Sequence, residues 1–426
     1  MQAALLFGLL GILILMSVPI GITLGLSTAV CLYLTTDISP MMIAQKAFTG
    51  LDSFPLLAIP FFILAGSIMC NGGISRRLVN LAETLVGFIT GGLAMVTVLA
   101  CMFFAAISGS GPATVSAIGS FMVPSMKERN YDPNFAAAIT ATAGTIGVII
   151  PPSIPFVIYS VVAMTSIGDM FIAGIVPGVI IGVVLMGTCY VIARKRKYLS
   201  TTRPPTFMAV LRALKDASWA LLIPVIILGG IYGGVFTPTE AAVAAVVYST
   251  LVGRFVYKEL TFETLYECLR SSALINGATE FMIGLSMAFA AYLTMAQIPA
   301  KIGLWLTNFS DSPTVILLML NVFLLVLGCF VDNIAAVIIL TPILLPVVTK
   351  LGVNPIHFGI VMTFNLAIGF VTPPYGINLF VASAISGEKL EDISVAALPF
   401  LGAMIACLLL FTFFPSLSLW LVQNMR

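Results

Sequence analysis

GGLAMVTVLACMFFAAISGSGPATVSAIGSFMVPSM, residues 91–126, carries no charged side chain, yet it is interrupted at Ser108-Gly109-Ser110-Gly111-Pro112. A run this apolar belongs in a hydrocarbon core, where every backbone amide and carbonyl must find a partner. Serine, glycine and proline in succession stop one helix and start another, freeing backbone groups at both broken ends. Such ends are tolerated at membrane depth only where protein or a watery cavity covers them. The stretch therefore predicts a helical hairpin that turns back inside the membrane, with its freed carbonyls, amides and hydroxyls facing a pocket.

The rest of the chain agrees. Of 426 residues, 60% are hydrophobic and 8% charged, against about 25% charged in soluble domains. Apolar runs recur from Leu5 to Leu421, many long enough for a helix of about 20 residues to span a bilayer. They are continuous rather than alternating, which excludes a β-barrel and predicts an all-α polytopic membrane protein. A net charge of +2 suggests no nucleic-acid partner. Cysteines 31, 70, 101, 189, 268, 329 and 407 stand singly in apolar stretches, so neither disulfides nor a zinc site is indicated. The N-terminus lacks the basic region of a cleaved signal peptide, so the first apolar segment is expected to be retained.

Ala3 to Thr35 is either one long span or two short helices parted at Pro19 and Gly21, and a second span covers about Leu51 to Cys70. Ile74 to Phe88 reads as an amphipathic interfacial helix, or as the end of a span and a loop. Residues 134–166 are interrupted at Gly147-Val148-Ile149-Ile150-Pro151-Pro152-Ser153, and a full span follows from Phe171 to Ala193. Arg194, Lys195, Arg196, Lys197 and Arg203 come without an acid, which marks that loop as cytoplasmic. Thr237-Pro238-Thr239-Glu240 reads as a capping box, making Glu240 a helix-capping acid rather than a catalytic one. Further apolar segments cover about 271–297, 313–328, 334–349, 356–371, 375–386 and 395–421.

One separation recurs. Pro124 and Pro346, Pro133 and Pro355, Gly147 and Gly369, Pro151-Pro152 and Pro373-Pro374, and Pro177 and Pro399 all stand 222 residues apart (346 − 124). Pro19 and Pro238 stand 219 apart (238 − 19). The chain thus divides into a first repeat, 1–193, a basic connector, 194–217, and a second repeat, 218–426. Each repeat holds a re-entrant hairpin (about 91–126 and 313–349) followed by a broken helix (about 134–166 and 356–386). Inverted repeats need an odd number of crossings in each half. Two short spans within 3–35 satisfy this and put the N-terminus outside. The pattern is that of a secondary transporter with its site between repeats near the bilayer midplane.

The breaks carry the chemistry. Ser108, Ser110, Gly147 and Ile150 in the first half, and Gly328, Asp332, Gly369 and Thr372 in the second, offer hard oxygen donors suited to sodium. Asp332 falls where the repeat places Ser110 (332 − 222 = 110). An acid between apolar runs is costly without a cation, proton or hydrogen-bond partner. It reads as a sodium ligand or a charge that organises the site, compatibly with a cap on the following helix. Proton carriage is the rival, and the company of Ser108, Ser110 and Thr372 favours sodium. The amino-terminal helix ends near Pro112, Thr114, Pro152, Ser153, Asn333 and Pro374 can receive a carboxylate. Tyr375 and Asn378 are candidate pocket residues. No arginine or lysine lies in the breaks. His357 is the only histidine, so a multi-histidine metal cluster is excluded, and no P-loop or kinase motif is present.

With SGSGPATVSAIGS from Ser108, GTIGVIIPPSIPFVIY from Gly144, FTPTEAAVAA from Phe236, DNIAAVIILTPILLPV from Asp332 and GFVTPPYGINLFVA from Gly369, the chain resembles the DctM-like large membrane subunit of tripartite ATP-independent periplasmic (TRAP) transporters. The resemblance covers essentially the whole chain. It implies an ion-transporter-superfamily-like, elevator-type permease of the bacterial inner membrane. It further implies a separate small membrane subunit of DctQ type and a soluble periplasmic substrate-binding protein as partners. Two sodium sites would fall around Ser108, Ser110, Gly147 and Ile150, and around Gly328, Asp332, Gly369 and Thr372. Sodium would be the coupling ion, with no cofactor and no covalent chemistry. The expected substrate is a small organic acid anion such as a C4-dicarboxylate or sialic acid. A standalone dicarboxylate transporter and a noncatalytic scaffold subunit are the alternatives.

Overall fold

A computed structural model describes residues 2–16, 18–198, 204–307, 310, 312–374 and 376–425. Arg203 and Tyr375 lie outside the described residues. The described residues form an all-helical, multi-span membrane protein, in which seven helices are long and apolar enough to cross a bilayer.

The first half runs α1 (Gln2–Leu15), α2 (Ile20–Thr35), α3 (Met41–Leu51), α4 (Ala58–Asn71), α5 (Ile74–Val86), α6 (Gly92–Ser108), α7 (Gly111–Glu128), α8 (Pro133–Gly144), α9 (Ile154–Ala163) and α10 (Ile167–Arg196). The second runs α11 (Phe207–Tyr232), α12 (Pro238–Leu251), α13 (Phe262–Met295), α14 (Ile298–Thr307), α15 (Pro313–Gly328), α16 (Asn333–Lys350), α17 (Pro355–Gly369), α18 (Ile377–Ser386), α19 (Leu390–Phe413) and α20 (Ser416–Asn424).

Punctuation in the sequence sets these boundaries. Ala3 to Thr35 is two helices, α2 starting right after Pro19, whose ring cannot continue the ladder. α8 and α17 start alike: Asp132 and Asn354 accept amides of the first turn, and Pro133 and Pro355 occupy positions where no amide is needed. The Thr237–Glu240 capping box is present, with Thr237 N donating to Glu240 Oε2 at 2.8 Å. Residues 74–86 form a helix whose Ile74, Leu78, Leu81 and Ala82 are buried, and it packs against α6 and α11. The run 395–421 is broken at Phe414-Pro415 into α19 and α20.

Two layers of packing position the candidate site. α2, α3 and α4 pack on α13, α4 also on α12, and α5 on α11. Apart from these, α6, α7 and α8 pack together, and α18 and α19 from the second half insert against α7 and α8. α16 and α17 pack on α9, and α15 on α17. The cores are continuous: Phe104, Phe135, Phe156, Phe358, Phe364 and Phe400 are fully buried in one cluster.

Candidate functional site

α6 ends at Ser108, and the chain turns through Gly109 with φ of +64°, the left-handed region that glycine enters without penalty. Ser110 is extended, and α7 begins at Gly111 with Pro112 in its first turn. The hydroxyls of Ser108 and Thr114 meet at 2.9 Å, and Thr114 donates to the Ser110 carbonyl at 2.8 Å. The second interrupted segment closes on this turn. Ile154 N donates to Gly109 O at 3.2 Å, and a Cβ on Gly147 would stand 2.5 Å from Thr114 Oγ1 and 2.6 Å from Ser110 O. Only glycine permits that approach. Ser108, Ser110, Thr114 and Gly147 are thereby gathered in one place. Ile150 lies after the short 3₁₀ turn Thr145–Val148, packed against Gly178. Pro152 is buried, and a Cβ on Gly109 would stand 2.9 Å from its carbonyl oxygen. Ser153 caps α9, accepting from Phe156 N at 3.3 Å while donating to Val148 O at 2.7 Å.

The second break is built differently. α15 ends at Gly328 and α17 at Gly369, and these two glycines touch backbone to backbone: a Cβ on Gly369 would collide with the Gly328 carbonyl oxygen. Asp332 caps α16, its Oδ2 accepting Ile334 N at 2.9 Å. Asn333 is buried, with Nδ2 reaching Thr363 O at 3.5 Å and Oδ1 unpartnered. Thr372 donates to Ile368 O at 2.9 Å, and Pro374 is exposed. Asn378 is wholly buried and reaches across to the first half, donating from Nδ2 to Ala141 O at 3.0 Å.

A cavity of about 280 Å³ opens beside the first break. One wall is Ser108, Ser110, Ala113 and Ser116, and Ile334 at the start of α16 touches it. The facing wall belongs to the other layer: Ser67, Cys70 and Asn71 of α4, and Ser271, Ser272, Ile275 and Thr279 of α13. Ser272 Oγ is buried without a partner. Neither lysine nor arginine is among the lining residues. Larger cavities lie between α2, α3 and α13 (about 690 Å³) and at the α9–α10 corner (about 650 Å³), and neither is lined by Ser108, Ser110, Asp332 or Asn333. The α4 and α13 hydroxyls went unread in the sequence. Their signal is a polar stripe at helical spacing, Ser271, Ser272 and Thr279, within a segment otherwise counted as apolar. His357 lies elsewhere, its Nδ1 2.8 Å from Ser418 Oγ of α20.

A family profile described as the tripartite ATP-independent periplasmic transporter, DctM component, matches residues 7–417. The chain is 47% identical over 415 residues to the isethionate TRAP transporter permease protein DctMQ of Oleidesulfovibrio alaskensis, covering 97% of this chain and 65% of that protein. This chain therefore spans just under two thirds of that relative's length. It is 45% identical to the C4-dicarboxylate TRAP transporter large permease protein DctM of Pseudomonas aeruginosa, covering 93% of each chain. It is 37% identical to the sialic acid TRAP transporter large permease protein SiaM of Vibrio cholerae, covering 98% and 97%. Among solved structures, the YdaH transporter of Alcanivorax borkumensis superposes with a TM-score of 0.58 at 15% identity over 88% of this chain and 87% of that one, a likeness of fold.

Proposed function

The chain belongs to the DctM family, the large permease component of tripartite ATP-independent periplasmic transporters, a transporter and not an enzyme; from that premise we propose that it imports a small organic acid anion across the bacterial inner membrane, driven by sodium. The observation that carries the proposal is the hydroxyl-lined cavity at the first break, whose two walls come from different helix layers.

In this reading residues 1–193 and 218–426 are inverted repeats joined by the connector 194–217, and 91–126 and 313–349 are re-entrant hairpins. The layer holding the breaks moves as an elevator against the layer of α4 and α13. Sodium is held by Ser108, Ser110, Gly147 and Ile150 at one break and by Gly328, Asp332, Gly369 and Thr372 at the other. Their carbonyls and hydroxyls are hard donors, and the Asp332 carboxylate supplies the charge. The substrate anion meets the α7 amino-terminus near Pro112 and Thr114, where no side chain caps the helix. Pro152, Ser153, Asn333, Pro374, Tyr375 and Asn378 complete the surroundings of the two breaks. Ordering of the breaks by sodium favours the same state that binds substrate, which is coupling in the thermodynamic sense.

Relatives named for isethionate, C4-dicarboxylates and sialic acid support a small acid as cargo. A DctMQ relative supports a small membrane subunit of DctQ type as a partner, and the family supports a periplasmic binding protein. The rival is a standalone carboxylate transporter. The deciding experiment reconstitutes the chain with its small subunit and candidate receptors in vesicles and follows labelled uptake of isethionate, succinate and sialic acid. Uptake should require both an inward sodium gradient and the receptor. Uptake indifferent to the receptor supports the standalone rival, and dependence on a proton gradient instead of sodium rejects the coupling ion.

A further inference from the structure

Asn378 stands where the repeat places Phe156 in the first half (378 − 222 = 156). Both are wholly buried, so a polar amide has been put into a position that the fold elsewhere fills with a ring. Its contacts join three segments. Its backbone N–H donates to Phe370 O at 3.0 Å, spanning the 371–376 interruption. Its Nδ2 donates to Ala141 O of α8 at 3.0 Å, which fixes the orientation of the amide. Its Oδ1 has no partner and lies beside Gly111, the first residue of α7, where an added Cβ would stand 3.4 Å away. The Phe370 ring closes on the same glycine, at 3.0 Å from that Cβ position, and a Cβ on Gly144 would stand 3.4 Å from Asn378 Nδ2. One side chain of the second broken helix is thus wedged between the start of α7 and the end of α8, the two segments that form the first break.

We infer that Asn378 is a positioning residue that couples the two breaks, transmitting the arrangement of residues 370–376 to Gly111 and Gly144. When the second break is ordered, the amide fixes the first. Without it, each break orders on its own. The sodium part of the test rests on the function proposed above, whereas the bridge itself does not.

The test uses the full permease with its small subunit in lipid vesicles. In Asn378→Ala, hydrogen exchange at residues 109–115 and 141–148 should rise about fivefold, the low end of a site-to-site coupling, with sodium or without it. The sodium concentration for half-maximal uptake should rise by a similar factor of about five. The Hill coefficient should fall toward one, with less change in the maximal rate at saturating sodium. Asn378→Gln, which retains an amide, should recover part of both effects. Should Asn378→Ala fail to fold, Asn378→Leu preserves the volume without the amide and carries the same expectation. Unchanged exchange at 109–115 in either variant, or a retained Hill coefficient with raised exchange, overturns the coupling role. Wild-type uptake indifferent to sodium would overturn the proposed function, and the exchange measurement would still decide the bridge.

Discussion

The two breaks hold equivalent places in the repeat but end their helices in opposite ways. At the first, Ser110 precedes α7 without a side-chain capping bond, so the amides at that helix start meet no carboxylate from the chain. At the second, Asp332 holds the corresponding position and already accepts from Ile334 N. An open amino-terminus attracts an anion, and one filled by its own carboxylate repels it and attracts a cation. The cavity follows the same division, lined by Ser108, Ser110, Ala113 and Ser116 of the first break and only Ile334 from the second. A near-symmetric fold thereby separates cargo from charge.

The most damaging challenge to that division is Asp332→Ala. It removes both cap and charge, and sodium-dependent uptake should fall by about tenfold or more, the scale of a hydrogen-bonded charged group. Asp332→Asn keeps a cap without the charge. Full sodium affinity in that variant would show that the charge is idle. Next comes Gly369→Ala, whose methyl would meet the Gly328 carbonyl. Thermal unfolding of the purified complex should report a loss of about 1–3 kcal/mol. Gly402→Ala, with open space around it, provides the control.

Smaller effects sharpen the comparison. Ser110→Ala should raise the sodium half-saturation by about threefold, since neighbouring carbonyls remain and one hydrogen-bonding group is lost. Ser272→Ala should raise the substrate half-saturation by about threefold and leave the sodium dependence alone. A shift in sodium dependence would place the cation against α13 instead. Least affected should be Glu83→Ala, which breaks the exposed 3.0 Å pair with Arg129. Its stability should change by no more than about 1 kcal/mol, read from the same unfolding curves.

What could be read beforehand followed from strong local punctuation. The Ser108–Pro112 interruption, the double prolines and the Thr237–Glu240 cap all act within one helical turn, and each is where the sequence indicates. Elements set by tertiary packing escaped. α3 is an 11-residue helix containing Gln45 and Lys46, and its place along α13 follows from burial that no short window reveals. α14 merged into a neighbouring apolar run, although 222 residues after Arg76–Leu85 falls on its Ile298–Thr307 span (76 + 222 = 298). The hydroxyl wall of α4 and α13 was hidden for another reason: serine on an apolar helix usually bonds its own backbone, and only the fold reveals that Ser272 does not.

The parallel pair α7 and α18 is tied at both ends, by Asn378 beside Gly111 and by Lys127 Nζ donating to Ser386 O at 2.6 Å and Glu388 Oε1 at 2.9 Å. These helices come from opposite halves of the chain, so the halves are dovetailed rather than laid side by side. Cutting the polypeptide at its connector would not release two working lobes, because each fragment would lack the mortise into which the other's helix fits.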